Sequence, residues 1–297
     1  MVVQALAERS PKVRKGPDFL IIGAQRAGTT WLHRVLRQHP SLWLAPVKEL
    51  HYFDKLDTIR TCLDPKERRR LGFRRLWSLD PWELRFWLGK RDDAWYARLF
   101  DDAQRKGLIA GEITPAYAIL GEDVFRRIKS MNGEVKLIFI MRDPLDRAWS
   151  AVNNALRKGQ VNGAFTVEKA VARARSSGTN ARSAYAKTIQ TLEAVFRPSQ
   201  LHYCFFDDLR DRPERLVTEI VSFLGATPGE VRSYLPAEAV NSAAGTKPVP
   251  IEFQREMAKD YLPMVIELCR RFDGPPHKWR ARYEALLSGA TEPIRVG

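Results

Sequence analysis

Cysteine is scarce in this chain of 297 residues. Cys62, Cys204 and Cys269 are odd in number and far apart. That spacing excludes a disulfide framework and a cysteine-based metal site, and it suits a reducing compartment. No apolar run approaches the roughly 20 residues of a membrane-spanning helix. The first residues, MVVQALAERSPKVRKGP, lack an apolar leader core and a cleavage site. A cytoplasmic protein is therefore expected, with a basic flexible tail over residues 1–17. Acidic residues fall short of basic ones: 35 Asp and Glu face 49 Lys and Arg, a formal net charge of +14. Such an excess suits nucleotides, acidic glycans or a membrane surface, although a solvated basic surface also accounts for it. No zinc-finger or RNA-reading signature accompanies the charge, so a nucleic-acid partner is not expected. Internal repeats, low-complexity segments and long linkers are absent too, and residues 18–297 read as one domain.

Five apolar runs read as strands: Phe19–Ile22, Leu42–Ala45, Leu108–Glu112, Val135–Met141 and Leu201–Phe206. Helical patterns separate most of them. That alternation predicts an α/β fold of three layers, a central parallel sheet of about five strands flanked by helices. The stretch from Asp54 to Lys106 breaks the rhythm with many arginines and the tryptophans Trp77, Trp82, Trp87 and Trp95. Their near-helical spacing predicts amphipathic helices packed on the sheet, with arginines in water. A second reading makes the stretch a basic, aromatic wall for an acceptor. Further helices are expected over Pro213–Leu224 and Glu252–Phe272, with the loop NSAAGTKPVP between them.

The segment DFLIIGAQRAGTT, Asp18 to Thr30, carries the most information. A buried strand leads into a loop bounded by Gly23 and Gly28, and Thr29 and Thr30 then open a helix. Strand, glycine-bounded loop and helix N-terminus make a phosphate cradle, where backbone N–H groups and the helix dipole favour an anion. The nucleoside-triphosphate version places Lys after the second glycine. Here Thr29 stands in that place, and the cation comes earlier, at Arg26.

A second anion site is expected in KLIFIMRDPLDRAWS, Lys136 to Ser150. A strand ends before Arg142, Asp143 is a good N-cap, and Pro144 suits the first helical position. Arg142 then lies at the carboxyl end of a strand, where open α/β sheets bind ligands. With Ser150 it can grip a terminal phosphate. Two other readings compete: Arg142 and Arg147 paired with Asp143 and Asp146, or Asp143 as a magnesium carboxylate.

At these two motifs the chain resembles the sulfotransferases that use 3′-phosphoadenosine-5′-phosphosulfate (PAPS). FLIIGAQRAGTTWL is similar to their 5′-phosphosulfate loop, and FIMRDPLDRAWS to their 3′-phosphate motif. The resemblance covers nearly the whole chain. It implies PAPS as co-substrate, adenosine 3′,5′-bisphosphate as product, and no metal. It places the 5′ end against Gln25, Arg26, Ala27, Gly28, Thr29 and Thr30, with Trp31 at the adenine. Arg26 matches a position usually held by lysine, and Phe206 one often held by tyrosine. VKELHYFD, Val47 to Asp54, is similar to the acceptor-side stretch of glycan sulfotransferases. That similarity makes Glu49 the general base, in a cleft that can raise its pKa, with His51 as rival. Glycan-directed members carry lysine after the glutamate of E-K-[ST]-P-x-Y, whereas this chain reads Glu112, Ile113, Thr114, Pro115, Ala116, Tyr117. Lys48 or Arg26 is the expected replacement cation at the sulfuryl group. Lys247 is the expected cation of a loop closing over the 3′-phosphate.

The resemblance implies sulfuryl transfer to a hydroxyl or amine of a small-molecule, lipid or carbohydrate acceptor, which the basic charge hints is anionic. The alternatives are a P-loop nucleotide kinase or NTPase, and a non-catalytic module that binds adenosine bisphosphate.

Overall fold

Consecutive apolar residues cannot alternate between core and solvent, so Phe19 to Ile22 must be covered on both faces. The computed structural model, which describes residues 16–55, 80–88, 90–160, 164–236 and 248–289, buries all four completely. They lie in β1 (Phe19–Gly23), at the centre of a five-stranded sheet. The others are β2 (Leu42–Leu44), β3 (Ile109–Ile113), β4 (Lys136–Met141) and β5 (Leu201–Phe205). Their order is β2-β3-β1-β4-β5, and every pairing is parallel. This is the expected α/β architecture. β3 starts and ends one residue later than its apolar run predicts, so it takes in Ile113. Gly111 pairs with Phe19 across the sheet, and a Cβ there would lie 2.6 Å from the Phe19 ring.

The chain leaves β1 toward β2 on one side and leaves β4 toward β5 on the other. The carboxyl ends of the adjacent strands β1 and β4 therefore flank the switch point at which open α/β sheets form their crevice. The glycine-bounded loop follows β1 and Arg142 follows β4, so the topology brings both motifs to one place.

Helix α1 (Thr29–Leu36) follows the loop. Between β2 and β3 lie α2 (Pro81–Leu88), α3 (Asp93–Arg98) and α4 (Asp101–Arg105). Trp82 and Trp95 are buried there and Trp87 is partly covered; Trp82 stacks on Phe86, and Trp95 Nε1 donates to the Arg85 carbonyl at 2.7 Å. Packing, not a wall for ligands, accounts for Trp82 and Trp95. Trp77 lies outside the described residues.

After β3 come a short 3-10 turn (Pro115–Ile119) and α5 (Glu122–Met131). Helix α6 (Pro144–Arg157) follows β4 as its N-cap predicts: Asp143 Oδ1 accepts the amides of Leu145 at 2.9 Å and Asp146 at 3.4 Å. Helices α7 (Val167–Arg175), α8 (Ser177–Ala181) and α9 (Tyr185–Glu193) lead to β5. Phe206, expected to close β5, instead opens α10 (Phe206–Asp211), where the chain turns at the strand's carboxyl end. Helix α11 (Pro213–Leu224) matches its expectation and stops at Gly225, whose φ of 95° suits a residue without Cβ. Helix α12 (Ile251–Cys269) ends three residues before its apolar pattern does, and α13 (Pro275–Ser288) packs along it. Phe253, Trp279 and Tyr283 join the same core as the sheet.

Candidate functional site

The β1–α1 loop turns through two left-handed residues, Arg26 (φ 71°) and Gly28 (φ 79°). At Gly28 a Cβ would meet the Phe206 ring at 3.1 Å. Gly28 provides no side-chain cap, and the first turn of α1 carries no acidic residue, so its leading N–H groups are left for an anion. Thr29 is buried, Thr30 is exposed, and Gln25 and Trp31 are partly exposed. Trp31 Nε1 is buried with no hydrogen-bond partner among the described residues.

The two anion motifs meet directly. Arg26 Nε donates to Ser150 Oγ at 2.9 Å, and Arg142 Nη1 donates to the Arg26 carbonyl at 2.9 Å. The Arg142 guanidinium lies 4.7 Å over the Phe206 ring, so Phe206 supports the cradle at Gly28 and the arginine together. Arg26 is held below its ordinary pKa by burial and by repulsion from Arg157 and Arg142. Cations thus crowd one crevice, an arrangement that favours an anionic ligand.

Neither competing reading of the second motif describes the geometry. Asp143 and Asp146 pair with Arg282 of α13, each at 2.9 Å, not with Arg142 or Arg147. Asp143 also accepts from Tyr283 and caps α6, so its oxygens are committed to the fold. Burial and Asp146 push Asp143 above the usual carboxylate range, against the pull of Arg282 and Tyr283. Arg147 is buried with its donors on Ser183 Oγ and the Thr179 carbonyl. Tyr185 clamps Arg142 by donating to its carbonyl at 2.8 Å. Sequence spacing signals none of these anchors: Tyr185, Arg282 and Tyr283 are 43, 139 and 140 positions from Arg142, Asp143 and Asp143.

On the acceptor side the structure brings Lys48, Glu49 and His51 together. Glu49 (φ 63°) and His51 (φ 54°) are both left-handed, a conformation that costs non-glycine residues about 1 kcal/mol each and collects at functional sites. Lys48 Nζ contacts Glu49 Oε1. His51 Nε2 lies 3.4 Å from Glu49 Oε2, and His51 Nδ1 lies 2.8 Å from Asp54 Oδ2. Asp54 is a member of the site that sequence reasoning missed as such, although it closes the motif Val47 to Asp54. The hydrogen bond from His51, helped by Lys48, outweighs burial and pulls Glu49 down to about 2. The expected upward shift of the base is therefore reversed. Hydrogen bonds to Asp54 and Glu49 raise His51 to about 9. Lys247 lies outside the described residues.

Residues 16–242 match the family described as the sulfotransferase domain. The chain is similar to heparan sulfate glucosamine 3-O-sulfotransferase 6 of Mus musculus, 30% identical over 148 residues, 50% of this chain and 33% of that protein. It is also similar to heparan sulfate glucosamine 3-O-sulfotransferase 3B1 of Mus musculus, 29% identical over 203 residues, 68% of this chain and 43% of that protein. The alignments thus take in less than half the length of either relative. Among solved structures, a sulfotransferase from Alicyclobacillus acidocaldarius superposes with a TM-score of 0.63 at 23% identity, covering 89% of this chain and 98% of that one. A sulfotransferase domain from the Synechococcus PCC 7002 olefin synthase superposes with a TM-score of 0.55 at 17% identity, covering 88% of this chain and 97% of that one. Both share the fold.

Proposed function

The chain belongs to the sulfotransferase domain family, and from that premise we propose that it transfers a sulfuryl group from PAPS to a hydroxyl or amine of a small-molecule, lipid or carbohydrate acceptor. The observation that carries this reading is the convergence of Arg26, Arg142 and Ser150, from two distant motifs, on the crevice beside Gly28. The uncapped α1 N-terminus, with Thr29 and Thr30, suits the 5′ end. Arg142 and Ser150 suit the 3′-phosphate. Trp31, partly exposed beside Thr30, suits an aromatic base through its ring face.

The donor supplies an electrophilic sulfuryl group on a phosphate leaving group. The chain's own part is to position, to balance charge and to move one proton. Glu49 is the group for the proton. His51 is held protonated at neutral pH by its two carboxylate neighbours, so it has no free basic nitrogen. Glu49 is ionised and able to accept. Its low proton affinity comes from His51 and Lys48, and it rises if either contact loosens as substrates enter. Lys48 or Arg26 is the cation for the transferring sulfuryl group, in place of the family lysine at whose position this chain has Ile113. The relatives named for heparan sulfate glucosamine make carbohydrate the first acceptor class to test.

The experiment is a melting-temperature titration with adenosine 3′,5′-bisphosphate, ATP and magnesium-ATP, followed by a labelled-donor screen of acceptors. A ligand that binds the folded state raises the midpoint. Stabilisation by the bisphosphate without magnesium is expected. A preference for magnesium-ATP would overturn the reading, and binding without transfer to any acceptor would leave a binding module.

A further inference from the structure

The segment Glu112 to Tyr117 stands out in the sequence for its missing lysine, and the proton transfer just described does not use it. Its glutamate nevertheless accepts four hydrogen bonds. Glu112 is 1% exposed at the carboxyl end of β3. Its Oε2 accepts from Thr114 Oγ1 at 2.7 Å and from the Leu50 amide at 3.3 Å. Its Oε1 accepts from the hydroxyls of Tyr96 and Tyr117. Buried carboxylates ordinarily pair with a cation; all four of these partners are neutral.

Two of those partners lead to the acceptor side. Leu50 lies between Glu49 and His51, the two left-handed residues. The Tyr117 hydroxyl donates to Glu112 and accepts the Tyr52 amide at 2.9 Å and the Phe53 amide at 3.5 Å. The Glu49 amide in turn donates to the Ile113 carbonyl at 3.1 Å. The amides of Glu49, Leu50, Tyr52 and Phe53, on both sides of His51, are thus held by β3 and the turn after it. Without those bonds nothing in the backbone favours φ above zero at Glu49 and His51.

We propose that Glu112 is the positioning residue of the Glu49–His51 pair: through the Leu50 amide, and through Tyr117 to the amides of Tyr52 and Phe53, it holds the backbone turn that brings the two side chains into contact. The inference rests on the reading of Glu49 and His51 as the acceptor-side groups. It gives the glutamate of this segment a role separate from that of the lysine the chain lacks. The charged groups that face His51 are Glu49, Asp54 and Lys55, with Lys48 beyond Glu49 and Arg182 acting on Asp54.

His51 reports on the geometry without any acceptor. Its titration is followed by NMR in protein labelled at its 5 histidines, with His51→Asn assigning the signal. The wild-type midpoint is expected near 9. Glu112→Gln, whose amide nitrogen accepts nothing, and Tyr117→Phe, which drops the Tyr52 and Phe53 amides, should each lower it by about 1 pH unit or more as the contacts with Glu49 and Asp54 loosen. Both variants should keep their stabilisation by adenosine 3′,5′-bisphosphate. Unchanged His51 titration in folded variants overturns the proposal. If Glu112→Gln fails to fold, Tyr117→Phe and Thr114→Val decide by the same midpoint. A wild-type protein that ignores the bisphosphate removes the functional reading instead, and the His51 midpoint still decides the positioning.

Discussion

Glu49 and His51 shift each other in opposite directions, and the pair makes definite predictions. The bond from His51 is the largest cause of the low Glu49 pKa. Replacing His51 by Asn should therefore raise Glu49 from about 2 toward 4.5, its ordinary value, which carboxylate NMR would read directly. His51 itself is raised from 6.5 to about 9 on folding, so its contribution to stability is full below about 6.5 and is lost as pH rises toward and through 9. Urea unfolding at pH 6 and at pH 9.5 should show that loss, and His51→Asn should abolish the part of the pH dependence that lies between. Glu49→Gln should retain bisphosphate binding and lose transfer, because the amide cannot take the proton. Residual transfer near wild-type rate would hand the role of base to another group. The resemblance of Val47 to Asp54 to the acceptor-side stretch of glycan sulfotransferases makes Glu49 and His51 legible as candidates. Their protonation states are not legible there, since these depend on a turn that puts Lys48, His51 and Asp54 in contact, and on distances that spacing does not encode.

At the scale of elements, the cradle depends on a glycine that two constraints select. Gly28 is left-handed and packs under Phe206. Alanine there costs about 1 kcal/mol for the backbone conformation and must also displace the ring. Gly28→Ala should lower stability by about 1–2 kcal/mol in urea unfolding and weaken bisphosphate binding, because Phe206 also supports Arg142. An undiminished melting-temperature response to the bisphosphate would show that the loop tolerates the shift. The strands are legible because buried parallel strands are continuous apolar runs, and all five fall within a residue of their expected ends. The exception at Phe206 has a simple cause: an apolar residue reads equally as the last of a strand or the first of a helix. Periodicity also gives the tryptophans of α2 and α3 their packing role. It does not show that Tyr96 of α3 reaches Glu112, since a buried hydroxyl's partner is set by how helix and sheet dock.

At the scale of the molecule, the segment around Arg142 is braced by helices beyond residue 242, where the family match ends. Arg282 ties Asp143 and Asp146 together, and Tyr283 donates to Asp143 while accepting the Leu145 amide at 3.0 Å. Trp279 Nε1 reaches Asp207 of α10 at 3.5 Å, so α13 touches both the helix after Arg142 and the helix that opens with Phe206. Phe253 of α12 packs against Trp149 beside Ser150, with ring centroids 4.9 Å apart. These contacts join α12 and α13 to the elements that hold Arg142, Ser150 and Phe206. Removing Arg282 leaves the buried Asp143 and the half-buried Asp146 without their cation, a change that costs about 3–5 kcal/mol where a buried pair is broken. Arg282→Ala should therefore lower the melting temperature and reduce bisphosphate affinity together. Arg282→Lys keeps the charge but can bridge the two carboxylates less well, and should fall between. A chain cut after residue 242 should show no stabilisation by the bisphosphate. If it folds and binds as the full chain does, the C-terminal helices are an appendage, and Tyr185, Phe206 and the Arg26 carbonyl suffice to order Arg142.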